Sequence, residues 1–432
     1  MASFFIPLTG LQADSTALNS IANNLANMNT TAFKAESTNF SDLFYQQIGS
    51  TGAGNPIQVG AGTQVANTEI DFTSGTPNST GVNTDVALQG NGFFVVNSGG
   101  GEYELSRAGN FSVDSNGSLV TSNGLNVMGY PAVNGVVNTS APLAAINIPI
   151  GQVLTPKATT TMSMTGNLDA SATTVPATSF PTQVTVYDSL GESHLVNISF
   201  TQASTSAVPN TWDYSISLPS SDYSGAAPAP ITGTMTFDSA GNLTQVAQGA
   251  GAPAAVGSAP GDLASIPLSF SGLADGAANL SISWSLLGSA GTPNISQTAT
   301  ASSFSGTSQD GYASSQYSDF TIGSDGTVTA TYLNGQKQNV GQIALANVEN
   351  LQGLKQLGNG DYATTIGSGT ASIGVSGTNG LATMQDGALE ASNVNISSEF
   401  SDLIIAQRAF EANAKSITTF DTVTQDTINM VH

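Results

Sequence analysis

The sequence predicts a mainly β protein with an α-helix at each end: nested, discontinuous β domains of sandwich or barrel type, carried on an α-helical coiled-coil base that both termini form. Apolar residues recur with helical spacing near the start and the end of the 432-residue chain. Between these ends, short β-branched and aromatic runs alternate with Gly and Asn at intervals too short for helices. No Lys or Arg occurs between Lys157 and Lys337, which sets a central stretch apart from its flanks.

The first helix rests on Leu11, Leu18 and Leu25, seven residues apart, with Leu8, Ile21, Ala22 and Met28 widening the stripe. Its other face carries Asn19, Asn23, Asn24, Asn27 and Asn29, where a solvated helix would normally hold Lys and Glu. Such a helix has poor intrinsic propensity and needs neighbours to form. Residues 29–70 read as a connecting segment. Strands are expected at Phe93-Phe94-Val95-Val96 and at Gln183-Val184-Thr185-Val186-Tyr187. Hairpin turns are expected at Asp114-Ser115-Asn116-Gly117, Asp188-Ser189-Leu190-Gly191, Asp238-Ser239-Ala240-Gly241, Gly323-Ser324-Asp325-Gly326 and Leu333-Asn334-Gly335-Gln336, since Gly supplies the positive φ that a tight turn requires.

The basic-residue gap and the Ser, Thr, Ala and Pro around Ala226-Ala227-Pro228-Ala229-Pro230 delimit an inserted outer β domain over 158–303. It interrupts an inner β domain made of 71–157 and 304–392. The closing helix carries Phe400, Leu403, Phe410, Ala414, Ile417 and Phe420 on one side, continued by Ile428 and Val431, with a cap-like start at Ala391-Ser392-Asn393. Residues 1–28 and 393–432 would form the base, because each end has an apolar stripe and no sequence neighbour to cover it. Leu18 and Ile417 are placed on facing stripes.

Composition narrows the function. Seven Lys and Arg against 29 Asp and Glu give a net charge of −22, which argues against nucleic-acid binding. Charged residues are 8% and hydrophobic residues 39%, so the surface is polar but mostly uncharged, and the chain is too apolar for a disordered acidic tail. The absence of Cys removes disulfides, thiolate metal sites and Cys nucleophiles. Phosphate-loop, dinucleotide, nucleophile-elbow and zinc-protease patterns are missing, and His194 and His432 are too few for an imidazole metal cluster. The expectation is no catalytic, cofactor-binding or metal residue, with His194 a surface or hairpin residue and Trp212 and Trp284 in the core. No apolar run reaches the ~20 residues of a membrane span. The first basic residue is Lys34, too late for a cleaved secretory signal.

The two ends also resemble a known family. Gly10-Leu11-Gln12-Ala13 followed by Ile21-Ala22-Asn23-Asn24-Leu25-Ala26-Asn27-Met28-Asn29-Thr30-Thr31-Ala32-Phe33-Lys34 is similar to the N-terminal signature of bacterial flagellar rod and hook proteins. Ala388-Leu389-Glu390-Ala391-Ser392-Asn393-Val394-Asn395 and Gln407-Arg408-Ala409-Phe410-Glu411-Ala412-Asn413-Ala414-Lys415 resemble their C-terminal signature. Thr84 to Phe94 and Arg107-Ala108-Gly109-Asn110-Phe111 resemble their shared β domain. The large insertion, with Val186-Tyr187-Asp188-Ser189-Leu190-Gly191 and Trp212, is similar to hook subunits rather than the shorter distal rod proteins.

The resemblance implies a helical homopolymer: a flexible curved tube outside the cell, acting as a universal joint between motor and filament. Its inner layer would be built by Leu8, Leu11, Leu18, Ile21, Leu25, Leu403, Phe410, Ala414, Ile417 and Phe420. It further implies export by the flagellar type III apparatus without a cleaved signal, through an element at Phe4 and Leu8, and contacts with rod, hook-cap and hook–filament junction proteins, with no nucleic acid, membrane insertion or cofactor. The family usually has Gly at the position of Ala32, which implies local strain there if that position has positive φ. The alternatives are a distal rod protein or a secreted β-rich adhesin or surface-layer protein, with a carbohydrate-active enzyme more distant.

Overall fold

The computed structural model describes residues 4–52, 54–99, 101–172, 177–203 and 210–430, so Val431 and His432 lie outside the described residues. The chain divides into two compact units, 1–150 with 317–432, and 151–316. The second is thus inserted in the first.

The inserted unit is a two-sheet sandwich. One sheet is antiparallel and runs Ser179–Tyr187, Ser193–Gln202, Thr211–Ser217, Ile231–Phe237, Leu243–Gln248 and Ala254–Ala255 in chain order. The other is mixed: Thr161–Asp169 lies parallel to Leu280–Ser285 and Ile295–Thr298 and antiparallel to Ser303–Gln309, with Ser265–Phe270 at an edge. Period-two alternation sends Trp212, Tyr214 and Ile216 inward from one strand and Ile282 and Trp284 from the facing sheet. Trp284 meets Tyr214 and Phe200 edge-on, each with ring centroids 6.3 Å apart, which closes the core between the sheets. The same alternation carries His194 inward with Val196, Ile198 and Phe200, leaving it 5% exposed. This corrects its assignment to the surface: the hairpin residue sits on the core-facing register of its strand.

In the other unit, Phe93–Asn97 is paired with Glu104–Ser106 on one side and Asn126–Val133 on the other. Phe94 and Val96 join one apolar cluster with Phe111, Leu119 and Ile343, while Phe93 and Val95 join a second with Leu105, Leu354 and Tyr362. Burial on both faces explains why this strand is continuously apolar rather than alternating. The five expected turns all form, with φ between +81° and +88° at Gly117, Gly191, Gly241, Gly326 and Gly335. Each of these glycines donates its N–H to the carbonyl three residues back. Where the turn begins with Asp, at positions 114, 188 and 238, one carboxylate oxygen also takes the N–H groups two and four residues on.

Helix α1 spans Phe5–Ala26 and α2 spans Ile396–Met430. Residues between α1 and the first shared strand are more ordered than a connecting segment suggests: β1 (Glu36–Asp42) pairs antiparallel with β4 (Thr63–Ile70), and β2 (Tyr45–Ser50) with β3 (Pro56–Gly60). The start of α2 also differs from expectation. Asn395, not Asn393, accepts the N–H groups of Ser397 and Ser398. Asn393 is occupied elsewhere, its side chain accepting from Ala35 N at 2.7 Å and donating to Asp71 O at 2.8 Å.

The inserted unit has its own core, so residues 151–316 expressed alone should show native near-UV circular dichroism from Trp212 and Trp284 and one cooperative melting transition. A featureless near-UV spectrum, with the remaining chain folded normally, would refute its independence.

Candidate functional site

The terminal helices run antiparallel. Asn24 Nδ2 donates to Glu399 Oε1 at 3.0 Å near one end, Asn413 Nδ2 donates to Asp14 Oδ2 at 2.8 Å in the middle, and the rings of Phe4 and Phe420 meet at 6.1 Å at the other. The face that α1 buries is made of small and polar residues: Pro7, Gly10, Ala13, Ala17, Ser20 and Asn24. A Cβ on Gly10 would lie 2.7 Å from Asn413 Nδ2, so any larger residue there would displace the Asn413 side chain that binds Asp14. Part of this face meets the β1–β4 ribbon instead of α2. Thr38 Oγ1 donates to Ser20 Oγ at 3.0 Å, and Asn24 exchanges hydrogen bonds with the backbone of Glu36 at 2.8 and 2.9 Å.

The leucine stripe of α1 therefore flanks the buried face rather than forming it. Leu11, Leu18, Ile21 and Leu25 are half-buried and Leu8 is exposed. On α2, the expected residues Leu403, Phe410, Ala414, Ile417 and Phe420 are half-buried, and Ala406 is the buried residue of the helix. Leu18 and Ile417 are each half-buried. A groove of about 400 Å³ runs between α1, β1 and α2, lined by Ala17, Ile21, Phe40, Ile405 and Ala409 among others. Residues 421–430 of α2 are exposed on every side, including Val423, Ile428 and Met430. Phe4 is 39% exposed.

Where these helices join the β core, the quoted sequence motifs converge on one carboxylate. Glu390 binds Lys34 Nζ at 2.7 Å through Oε1 and Arg107 Nε at 2.6 Å through Oε2, and all three side chains are at most 3% exposed. Lys34 also donates to Thr73 O at 2.7 Å, and Arg107 to the carbonyls of Gly90 and Gly92 and to Ser74 Oγ. Gly75 N–H donates to Glu390 Oε1 at 2.8 Å, and Ala32 N–H to Glu390 O at 2.8 Å. Burial works against ionisation of Glu390, but hydrogen bonds and charge from Arg107, then Lys34, outweigh it and hold the carboxyl below its ordinary range. Ala32 has φ +55°, the positive value on which strain at this position was conditional, and it is 1% exposed. Lys34, Arg107 and Glu390 stand inside motifs legible in the sequence, yet only the fold brings them together.

Family matches fall on these same elements. Residues 8–34 match flagella basal body rod protein, 87–170 the flagellar hook protein FlgE/F/G D1 domain, 158–312 the flagellar basal body protein FlaE D2 domain and 385–430 the flagellar basal body rod FlgEFG protein C-terminal family. They define the class, an axial protein of the bacterial flagellum. Curated relatives narrow it: flagellar hook protein FlgE of Treponema pallidum is 35% identical over 100% of this chain and 99% of its own. Flagellar hook protein FlgE of Salmonella typhimurium is 34% identical over 99% of this chain and all of its own length, as is that of Escherichia coli. The chain belongs to the flagellar hook protein family. The fold is shared with Helicobacter pylori flagellar hook protein FlgE2, at a TM-score of 0.53 and 16% identity over 73% of this chain and 100% of that one.

Glu390→Ala would leave Lys34 and Arg107 buried without a counter-charge and should cost about 3–5 kcal/mol in denaturant unfolding. Since the pKa of Glu390 is depressed in the fold, its contribution is complete above the ordinary carboxylate range and should fade as pH falls through the folded value. Ala32→Gly should instead raise stability by up to about 1 kcal/mol, relief of the left-handed strain exceeding the entropy that Gly loses.

Proposed function

We propose that this chain is the repeating structural subunit of a flagellar hook, polymerising into a curved, flexible tube that passes motor torque to the filament. The observation that carries the proposal is the full-length match to hook proteins, inserted unit included, combined with terminal helices whose apolar stripes are only half covered within one chain. In a tube, stripes from neighbouring subunits would complete the burial of Leu8, Leu11, Leu18, Ile21 and Leu25 on α1 and of Leu403, Phe410, Ala414, Ile417 and Phe420 on α2. Residues 1–28 with 393–432 would form the inner layer, 29–70 the connection, 71–157 with 304–392 the inner β layer, and 158–303 the outer one.

The mechanical logic follows from composition. A subunit in a rotating bent tube changes its spacing to its neighbours once per turn. Fixed ion pairs would favour one register, whereas many weak polar contacts let surfaces slide with small differences in energy. With charged residues at 8%, this chain offers mainly contacts of the second kind. The subunit would leave the cell unfolded through the flagellar type III apparatus, engaged by Phe4 and Leu8, and meet rod, hook-cap and junction proteins at the ends of the tube.

The test is Ile428→Asp and Ile417→Asp. Ile428 is 57% exposed in the single chain, so its substitution should leave thermal unfolding of both β units unchanged. In the tube, each lost burial removes ~1.5–3 kcal/mol per subunit, a tenfold or greater rise in the concentration needed to assemble. Electron micrographs should show hooks missing or short and soft-agar swimming lost. Hooks of normal length from both variants would overturn the assembly role of the stripes.

A further inference from the structure

The inserted unit holds a polar cluster around the buried His194 and Asp188. His194 Nδ1 lies 2.9 Å from Asp222 Oδ2, and Nε2 lies 3.3 Å from Asp188 Oδ2. Asp188 is fully buried, at 0% exposure. Asp275, on the loop after Ser265–Phe270, brings a third carboxylate, and one ligand atom each from Asp188, His194 and Asp275 lie within 4.8 Å of one another. The same hairpin and loop are joined by Ala278 N–H donating to Ser189 Oγ at 3.0 Å.

Charge makes the cluster unusual. Three carboxylates surround one imidazole, and no Lys or Arg occurs between positions 157 and 337 to balance them. Even a protonated His194 leaves a formal excess of two negative charges, from 1 − 3 = −2, around a carboxylate shut away from water. Of the three carboxylates only Asp188 is fully buried, and a cation beside it would reduce the repulsion that it feels from Asp222 and Asp275.

The side chains are also oriented for one. Asp188 Oδ1 accepts the N–H groups of Leu190 and Glu192, and Asp275 Oδ1 accepts that of Ala277, so each carboxylate is fixed through one oxygen and can offer the other. Carboxylates flank both ring nitrogens; with a metal in place of the proton on Nε2, Asp222 on Nδ1–H is the outer carboxylate partner that metal-binding histidines ordinarily have. We propose that the inserted unit binds one divalent cation of the zinc class through His194 Nε2 and one oxygen each of Asp188 and Asp275, with Asp222 positioning the ring. Neutral imidazole and two carboxylates balance the ion's charge and leave a fourth position for water. The ion would tie the Asp188 hairpin to the Asp275 loop. Proton and metal compete for Nε2, so binding strengthens as pH rises through the histidine range.

The experiment uses the full chain, held as monomer, with zinc chloride in titration calorimetry and Co²⁺ as a visible-absorption probe at pH 6 and pH 8. Asp275 is exposed, so Asp275→Asn spares the core and keeps the His194–Asp222 contact. The expected result is one Zn²⁺ per chain at pH 8, at least tenfold weaker binding at pH 6 and in Asp275→Asn, and a zinc-dependent rise in the melting temperature of the inserted unit that His194→Gln abolishes. No uptake at pH 8, or equal affinity in Asp275→Asn, would overturn the site and leave His194 as an imidazolium paired with carboxylates for structure alone.

Discussion

Glu390 accepts charge from Lys34 and Arg107, residues 356 and 283 positions away in sequence, with all three groups out of water. Two cations against one carboxylate would be unstable by themselves. The surplus charge is met by peptide dipoles: the carbonyls of Thr73, Gly90 and Gly92 point at Lys34 and Arg107. Every element around this point is held by it. Lys34 fixes the exit from α1, Gly75 and Ala32 take their positions from the Glu390 carboxylate and carbonyl, and Glu390 itself leads into α2. A buried ion network is a poor source of stability compared with apolar packing, but it discriminates strongly between registers. Here it sets how the helical base is attached to the β core.

The helical base has the opposite character. The buried face of α1 is built from Gly10, Ala13, Ala17 and Ser20, residues that allow close approach without contributing much apolar area. The large side chains stand beside that seam, partly open. Such a pair is specified but weakly closed within one chain. α1 carries a single charged residue, Asp14, among its amides and hydroxyls, whereas α2 carries seven, from Glu399 to Asp426.

Much of this was legible in the sequence where a local rule decides the outcome. The turns at Asp114, Asp188 and Asp238 follow from an Asp side chain that caps the turn and a Gly that accepts positive φ, and both causes act within five residues. The period of the terminal helices was equally plain. What periodicity could not say is which side of α1 faces inward, because leucine spacing marks the most apolar side while Gly10 and its neighbours permit the closest approach. Asn393 had the residue type and position of a helix cap, yet Ala35 and Asp71 claim its side chain, a contact set by the fold. His194 was misplaced for a similar reason. The alternation of Val196, Ile198 and Phe200 extends back to it, and that signal was readable, but a polar residue in a core register is improbable until partners such as Asp222 and Asp188 are known.

The antiparallel closure of α1 on α2 brings Phe4, at the start of the described chain, against Phe420, ten residues before the end of α2. In a chain that emerges end first, the β1–β4 ribbon can cover part of α1 early, but the face that meets α2 stays open until almost every residue has appeared. Loop-closure entropy separates the stages: joining Lys34 to Glu390 across 356 positions of unfolded chain costs about 3 kcal/mol more than closing a hairpin of about 14 residues. By sequence separation, hairpins of the inserted unit such as Ser179–Tyr187 with Ser193–Gln202 should form early, the β core of the other unit once its two segments are both present, and the helix pair last. The geometry thus works as a timer: the half-open surface of the base comes into being after the rest of the subunit has taken shape.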